Sequence, residues 1–294
     1  YPGVRGSSSL TCSVAFMLTR LGVMTAGDEP DAASRTAADM NARAIGFLQK
    51  DVARETAEAR KQKSPTVSLL GMQYLYLTLR SGQRLSGDAE RDVRFMLDLL
   101  RRQSDDMQGE QRALAAIILQ LSGEEKQARA LMERFHTLLN HPDGTYLAYP
   151  GGSFTSIDRK IQRHVQVMEA VALVEPEDTA TLQAMQEWLL QQKRTQEWEQ
   201  PVQTADAVYA LVNGDPLPTS TRGGLGSNES DRLMLQDGRS TVTLESPETS
   251  LGYLRERVEG VKSPRTLVVD KKSGGLSWGA IYAQYEMPAS EVEA

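Results

Sequence analysis

Two kinds of helical segment alternate between Ser9 and about Leu211, and this alternation constrains the fold more than any other feature of the sequence. One kind is amphipathic, with apolar residues at helical spacing on one face and charged residues on the other. The other kind is apolar nearly all round, which predicts a buried helix. The amphipathic segments are Asp88–Gln103, Glu124–Leu139 and Glu177–Lys193, and the apolar segments are Leu10–Leu21, Val67–Leu79, Ala113–Leu121, Val165–Leu173 and Val202–Leu211.

Buried helices that alternate with half-exposed ones predict a ring of helical hairpins, an α/α toroid. Several apolar segments end in a leucine followed at once or soon afterwards by glycine, which closes helices in the left-handed conformation. These pairs are Leu21–Gly22, Leu79–Gly82, Leu121–Gly123 and Leu211–Gly214. A superhelical repeat array is the alternative, but the consensus letters of tetratricopeptide and ankyrin repeats are missing.

The character of the sequence changes after Gly214. Asp215–Pro218 and the Gly-, Ser- and Thr-rich stretch that follows to Ser230 are typical of a linker. Beyond it come five short β-prone runs, and Asp237–Gly238 between the first two is a hairpin signal. The runs are Arg232–Gln236, Ser240–Glu245, Tyr253–Val258, Thr266–Val269 and Leu276–Tyr285. We therefore expect a toroid over residues 1–214, a linker over 215–230 and a small β-sandwich-like domain over 231–294.

Charge and cysteine content exclude several classes of function. The 33 basic and 39 acidic residues interleave to a net charge of -6, so no nucleic-acid-binding stripe is expected. No apolar run is long enough to span a membrane. The single cysteine, Cys12, can form neither an internal disulfide nor a multi-cysteine metal site. Because the chain opens at Tyr1 without an initiator methionine, we expect it to be a piece of a longer protein.

Two stretches carry a resemblance to a known family: Thr195–Trp198 with Gln203–Leu211, and Leu276–Tyr285. They resemble segments of bacterial members of the alpha-2-macroglobulin family. Thr195–Trp198 followed by Gln203–Leu211 resembles the last inner helix of that family's helical toroid, and Leu276–Tyr285 resembles a strand of the adjoining CUB-type β domain. Tyr1-Pro2-Gly3 is similar to the turn before an inner helix, and Met107–Leu121 is similar to a later inner helix. The resemblance implies a non-catalytic, extracytoplasmic module that contacts proteases, other envelope proteins and the remaining domains of its own longer chain, and that requires no cofactor.

The sequence departs from the family at the thioester. That bond joins a cysteine and a glutamine in a C-x-E-Q motif, because the thiol and the carboxamide condense across one short turn. Cys12 is followed by Ser13-Val14-Ala15, so it is not a thioester cysteine. In the family the motif lies upstream of the turn that Tyr1 begins. An apolar helical run without a neighbouring basic residue instead predicts that Cys12 is a buried, unreactive core residue.

The strongest competing hypothesis is a carbohydrate-active toroid enzyme, a glycoside hydrolase or lyase. Its chemistry needs two convergent carboxylates at the mouth of the ring. Asp158, Glu169 and Asp206 lie at or in inner helices and are the candidate acids, although single acids at helix starts are more often caps. Terpene cyclases fit less well, because no D-x-D-D run occurs and Asp105–Asp106 falls in a connection. We therefore expect no catalytic site.

The histidines and tryptophans offer no obvious ligand set. His136 falls near an outer-helix stripe, His141 precedes a Pro-Asp-Gly turn, and neither has an i, i+4 partner, so no metal site is expected. The third histidine is His164. We expect core packing rather than sugar stacking for most of the tryptophans, which are Trp188, Trp198 and Trp278.

The missing C-x-E-Q motif leads to a first prediction. Methylamine adds to a thioester and increases the protein's mass, so treatment of the folded chain is expected to leave its mass unchanged. Intact-protein mass spectrometry before and after incubation measures this directly. A gain of one methylamine would show that the chain contains a thioester after all.

Overall fold

The computed structural model describes residues 6–25, 31–141, 144–146, 160–192, 201–213, 232–236, 241–244 and 266–270, together with Gly279 and Tyr282. The chain divides into two compact units, Tyr1–Pro216 and Leu217–Ala294. This division falls inside the expected linker, although residues 215–230 themselves lie outside the described ones. The protein is mainly helical with few strands.

Helices make up most of the described part of the first unit. Each apolar or amphipathic segment that the sequence indicates overlaps one of them, which confirms the helical predictions. No helix among the described residues is long and apolar enough to span a membrane. The helices are α1 Ser8–Met24, α2 Ala32–Ala59, α3 Leu69–Arg80, α4 Gly87–Gln103, α5 Gly109–Leu121, α6 Glu125–Leu139, α7 Lys160–Val174, α8 Thr179–Gln191 and α9 Pro201–Asn213, and a short 3-10 turn covers Ser104–Asp106.

The longest helix, α2, is not among the segments that the sequence pattern indicated. Its buried face carries Ile45, Leu48 and Val52, but the same face continues with the buried polar residues Asn41 and Thr56. The side-chain amide of Asn41 donates to the Thr19 hydroxyl on α1 at 3.0 Å, so a polar residue occupies a core position of this helix. Polar residues in the stripe hide the helical period when it is read from apolar residues alone.

The apolar helices contact one another in a closed cycle. α1 contacts α3, α3 contacts α5, α5 contacts α7, α7 contacts α9, and α9 contacts α1. Each of the other helices packs against one or both of the apolar helices next to it in sequence: α2 against α1 and α3, α4 against α3, α6 against α5 and α7, and α8 against α7 and α9. The amphipathic helices bury one stripe each, as the sequence predicts, and the apolar helices supply most of the core.

Two of the predicted glycine ends are confirmed. α3 ends at Arg80 and is followed by Gly82 at φ +63°, and α5 ends at Leu121 and is followed by Gly123 at φ +86°. Both glycines occupy the left-handed region that a side chain disfavours. The predicted end at Gly214 lies outside the described residues.

The predicted end of α1 at Leu21–Gly22 is wrong, because the helix continues through the glycine to Met24. Val23 and Met24 are partly buried against the core. Packing of these two side chains offsets the helix-propensity cost of an internal glycine, which is about 1 kcal/mol.

The expectation that α1 is buried all round is also wrong within the described residues. Leu10, Val14, Met17 and Leu21 follow one another at helical spacing and are all exposed. The opposite side of the helix, which faces α2, α3 and α9, buries Cys12, Ala15, Thr19 and Arg20. α1 therefore presents an apolar stripe that no described element covers.

On α9 the predicted core residues divide in the same way. Ala207, Ala210 and Leu211 are buried, as expected, whereas Val208 is exposed and does not belong to the core. Positions i, i+3 and i+4 share one helical face, and the next residue along from Ala207 points away from it. The small alanines let neighbouring helices approach closely.

The described part of the second unit contains one antiparallel sheet of three strands, in which the first strand along the chain lies between the other two. Gln236 at the end of the first strand lies opposite Thr241 at the start of the second, which fits the hairpin that Asp237–Gly238 predicts. These strands agree with three of the predicted runs to within a residue or two. Their bounds are β3 Arg232–Gln236, β4 Thr241–Leu244 and β5 Thr266–Asp270, and in the first unit β1 Asn140–His141 pairs with β2 Gly144–Thr145.

The other two predicted strands cannot be compared in full. Tyr253–Val258 lies outside the described residues. Of Leu276–Tyr285 only Gly279 and Tyr282 are described, and neither is in a strand. The β-sandwich arrangement stays a prediction.

Two neighbouring residues of α9 provide a matched test of this packing. Ala207 is 0% exposed and Val208 is 40% exposed. Ala207→Asp puts an unpaired carboxylate into the core and is expected to lower the free energy of unfolding by several kcal/mol. Val208→Asp puts the same group at a surface position and is expected to change it by about 0.5 kcal/mol or less. Urea denaturation monitored by circular dichroism measures both, and equal losses would contradict the placement of α9.

Candidate functional site: a buried charge cluster

Arg20 is the centre of a buried polar cluster inside the first unit. It lies on the core side of α1, one residue before Leu21, and is almost fully buried. Its Nη1 donates to Oδ1 of Asp206 on α9 at 2.5 Å, and its Nη2 lies 3.4 Å from Oε2 of Glu169 on α7. One guanidinium therefore joins the first described helix to two helices near the end of the unit.

The second carboxylate oxygen of Glu169 is also occupied. Its Oε1 accepts hydrogen bonds from the hydroxyls of Tyr76 on α3 and Tyr209 on α9, both at 2.8 Å. Nε of Arg80, also on α3, lies 3.5 Å from the same oxygen. We call these four residues, together with Arg20 and Asp206, the Arg20 cluster.

Aromatic rings hold the guanidinium in place. The Arg20 guanidinium carbon lies 4.8 Å from the centre of the Tyr209 ring and 5.7 Å from that of Phe16, one turn earlier on α1. The Phe16 ring stacks on the Tyr76 ring with centroids 4.6 Å apart and 7° between the planes. Cation–π contacts of this kind strengthen when water is excluded. The rings thus position the charge and shield it from water.

Burial and neighbouring charges shift the pKa values of several side chains in the cluster. It raises the pKa of Tyr76 well above its ordinary value, and the Glu169 charge adds to this effect, so the hydroxyl stays protonated and donates. The pKa of Tyr209 is raised for the same two reasons. Burial also raises the pKa of Asp206, against the opposing attraction of Arg20. For Arg20 burial acts to lower the pKa, but the surrounding anions and hydroxyls outweigh it and the pKa is raised.

The arrangement is that of a neutralised structural core. Two cations, Arg20 and Arg80, face two acids, and the acids are Glu169 and Asp206 at 6% and 5% exposure. A glycosidase acid must contact the glycosidic oxygen or the anomeric carbon. Both carboxylates of the cluster are buried, and arginine or tyrosine donors contact each of them.

Of the three candidate acids, Glu169 and Asp206 are therefore brought together, on Arg20. Asp206 is not a surface acid, because its side of α9 turns into the core rather than to solvent. Asp158 lies outside the described residues. Asp105 and Asp106 form the exposed 3-10 turn between α4 and α5, which confirms their placement in a connection.

Cys12 and Trp188 are core residues, as the sequence predicts. Cys12 is buried, and burial raises the pKa of its thiol to about 11. Trp188 is buried on α8, with its ring stacked on that of Tyr146 at 4.7 Å and against that of His164 at 4.4 Å. Nε2 of His164 lies 2.9 Å from the carbonyl oxygen of Met185, so this imidazole belongs to the core. Trp198 and Trp278 lie outside the described residues.

The other two histidines lie near the end of α6. His136 contacts Glu175 and Asp178, two carboxylates from the connection between α7 and α8. His141 is in β1, opposite Gly144 in the short hairpin. The carboxylates near His136 are about forty residues away in sequence, so local spacing could not indicate them.

Sequence reasoning missed the basic and hydroxyl members of the Arg20 cluster. A signal for one was present: Arg20 is the only charged residue in the apolar run Leu10–Leu21. A lone charge on a helix predicted to be buried needs a partner of opposite charge. Tyr76 and Tyr209 gave no such signal, since tyrosine is common in buried helices with or without a charged partner.

No protein-family model matches this chain, and no curated protein is significantly similar to it. Its function therefore has to be inferred from its own residues. The Arg20 cluster and the cycle of helices around it are the features that bear on that inference.

The cluster predicts an asymmetric response to substitution. Arg20→Met leaves the buried Asp206 without its cation and Glu169 with Arg80 alone, and it is expected to cost about 3–5 kcal/mol of unfolding free energy. The triple variant that adds Glu169→Gln and Asp206→Asn removes both charges and is expected to recover a part of this loss. Arg43→Met is the matched control, because Arg43 forms an exposed ion pair with Asp39 and its loss is expected to cost about 0–1 kcal/mol.

The pH dependence follows from the same geometry. Burial already raises the pKa of Asp206 in the wild type, and loss of Arg20 removes the attraction that opposes this effect, so the folded-state pKa of Asp206 rises further. A folded pKa above the unfolded value gives stability at low pH that is lost as pH rises through the folded pKa. The deficit of Arg20→Met relative to wild type is therefore expected to shrink on acidification. A pH-independent deficit would show that lost packing, not charge, is responsible.

Proposed function

We propose that the helical unit is an α/α toroid and that the chain is a non-catalytic, protein-binding module of a bacterial alpha-2-macroglobulin-like envelope protein. Its role would be inhibition or trapping of proteases, or another form of envelope defence, through protein contacts and without a thioester in this chain. In this proposal the module works outside the cytoplasm, beside the remaining domains of a longer chain. The observation that carries the non-catalytic part is the Arg20 cluster, which occupies the centre of the unit.

The toroid is supported by the order of helix contacts. In a toroid of hairpins the inner helices meet their neighbours in sequence, and the first inner helix meets the last. The contacts among α1, α3, α5, α7 and α9 follow this cycle, including the α1–α9 contact that closes it. The ion pair between Arg20 and Asp206 lies at that closing contact, 186 residues apart in sequence.

The non-catalytic role is supported by what fills the ring. An enzyme built on a toroid needs an open cleft at one mouth, with polar groups left free to meet a substrate. The charged side chains and tyrosine hydroxyls that converge here are instead buried, and each of these side chains contacts at least one other member of the cluster. The α5 segment of the ring adds only apolar side chains at its buried positions, from Ala113 to Leu119.

The competing enzyme hypothesis rests on one specific observation, the convergence of Glu169 and Asp206. It can be tested without knowing the substrate. Wild type, Glu169→Gln and Asp206→Asn are incubated with a panel of bacterial cell-wall and exopolysaccharide glycans, and reducing ends or unsaturated products are measured. We expect no turnover by any of them. Turnover by wild type that is lost in a folded Glu169→Gln or Asp206→Asn chain would establish the enzyme and overturn our proposal.

Binding to proteases tests the proposed role directly. Active-site-blocked serine, cysteine and metalloproteases are each mixed with the folded chain and examined by size-exclusion chromatography with light scattering. We expect a complex with at least one class, stable at micromolar concentration, and its formation is expected to be insensitive to methylamine. The Ala207→Asp chain controls for adhesion to unfolded protein. Absence of a complex with every class, at concentrations up to about 100 µM, would contradict a role in protease binding.

A further inference from the structure

His136 on α6 lies between two carboxylates from the connection that joins α7 to α8. Its Nε2 is 2.9 Å from Oε2 of Glu175, and its Nδ1 is 3.8 Å from Oδ2 of Asp178. α6 carries the histidine, and the connection between α7 and α8 carries both acids. The site is at the periphery of the helical unit and shares no residue with the Arg20 cluster.

Helix ends fix the backbone positions of the two acids. Asp178 is the N-cap of α8, and its Oδ1 accepts a hydrogen bond from the backbone N–H of Thr181 at 3.1 Å. This bond leaves Oδ2 directed toward the histidine. Glu175 directly follows α7, and its N–H still bonds to the carbonyl of Val171 at 2.9 Å. Because hydrogen bonds fix the backbone that carries both carboxylates, their oxygens are preorganised as potential metal ligands.

The three side chains are also partly withdrawn from water. The Glu175 side chain is 13% exposed, and those of Asp178 and His136 are 28% and 38% exposed. The remaining exposure, which is largest at His136, gives an ion and its water ligands access to these side chains. The neighbouring cation, Arg129, is engaged by Glu177 at 2.5 Å, so its charge is already compensated.

We propose that His136, Glu175 and Asp178 form a binding site for a divalent transition-metal ion such as Zn²⁺. One ligand atom from each residue can be chosen so that all three lie within 4.8 Å of one another. One imidazole nitrogen with two carboxylate oxygens suits zinc and its neighbours, whereas calcium and magnesium prefer oxygen alone. Small side-chain rotations would replace the histidine–carboxylate contacts by bonds to the ion. The expectation of no metal site came from local spacing, which does not report on these long-range partners.

The test is a Zn²⁺ titration of the full chain, free of any affinity tag, by isothermal calorimetry at neutral pH. We expect one ion per chain. Asp178→Asn is the sharpest variant, because asparagine still caps α8 while one anionic ligand is lost, and its affinity is expected to fall at least about tenfold. His136→Ala is expected to abolish binding. His141→Ala, which removes an imidazole five residues further along, is the matched control and is expected to bind like wild type.

Two further measurements keep the outcome decisive. Circular dichroism establishes that each variant is folded, and if His136→Ala is not, Glu175→Gln with Asp178→Asn takes its place. Co²⁺ is the second probe: visible absorption bands from a ligated ion are expected with wild type and His141→Ala and not with His136→Ala. No Zn²⁺ binding by wild type up to about 1 mM, or equal affinity in all folded variants, would overturn the proposal.

Discussion

The burial of one guanidinium is the constraint on which the rest of the helical unit depends. A charge removed from water is tolerated only when opposite charges and hydrogen bonds surround it. For Arg20 these come from Glu169 and Asp206, which lie 149 and 186 residues further along the chain. The first described helix can therefore be packed correctly only after α7 and α9 are in place. Local interactions hold each helical hairpin together, whereas the long-range ion pair between Arg20 and Asp206 determines how α1 meets α9.

The Arg20 cluster also fixes the position of α1 along the axes of the helices that it contacts. Apolar side chains of similar size would pack almost equally well if α1 slid along its neighbours, because hydrophobic burial has no preferred direction. A slide of one helical turn, about 5.4 Å, would take the guanidinium away from both acids and leave the buried charges of Arg20 and Asp206 without their partners. The stacked rings of Phe16 and Tyr76 add a second geometric restraint at the same level. The cluster thus selects one register among many that the apolar core alone would accept.

Hydrophobic periodicity in the sequence was enough to predict most helices and the three described strands of the second unit. It was not enough where a helix buries polar residues. α2 carries Asn41 and Thr56 on its core face, and α1 turns Leu10 and Met17 to the outside while Arg20 turns in, which reverses the usual assignment of apolar and charged residues. Periodicity reports which residues differ in character from their neighbours, but only tertiary contacts decide which face is covered. For the same reason two acids of the Arg20 cluster were found from sequence, and their arginine and tyrosine partners were not.

The distance in sequence between Arg20 and its partners also has a consequence for synthesis. At roughly 5–20 residues per second, Asp206 is polymerised about 10–40 s after Arg20, whose partner lies 186 residues downstream. Until Glu169 is made, 149 residues after Arg20, the α1–α2 hairpin can form, but the guanidinium has neither of its two acids to meet and remains hydrated. A hydrated charge on the face that will become internal opposes premature contact between α1 and other apolar segments of the growing chain. The residue that joins α1 to α9 therefore also delays that contact until α9 has been made.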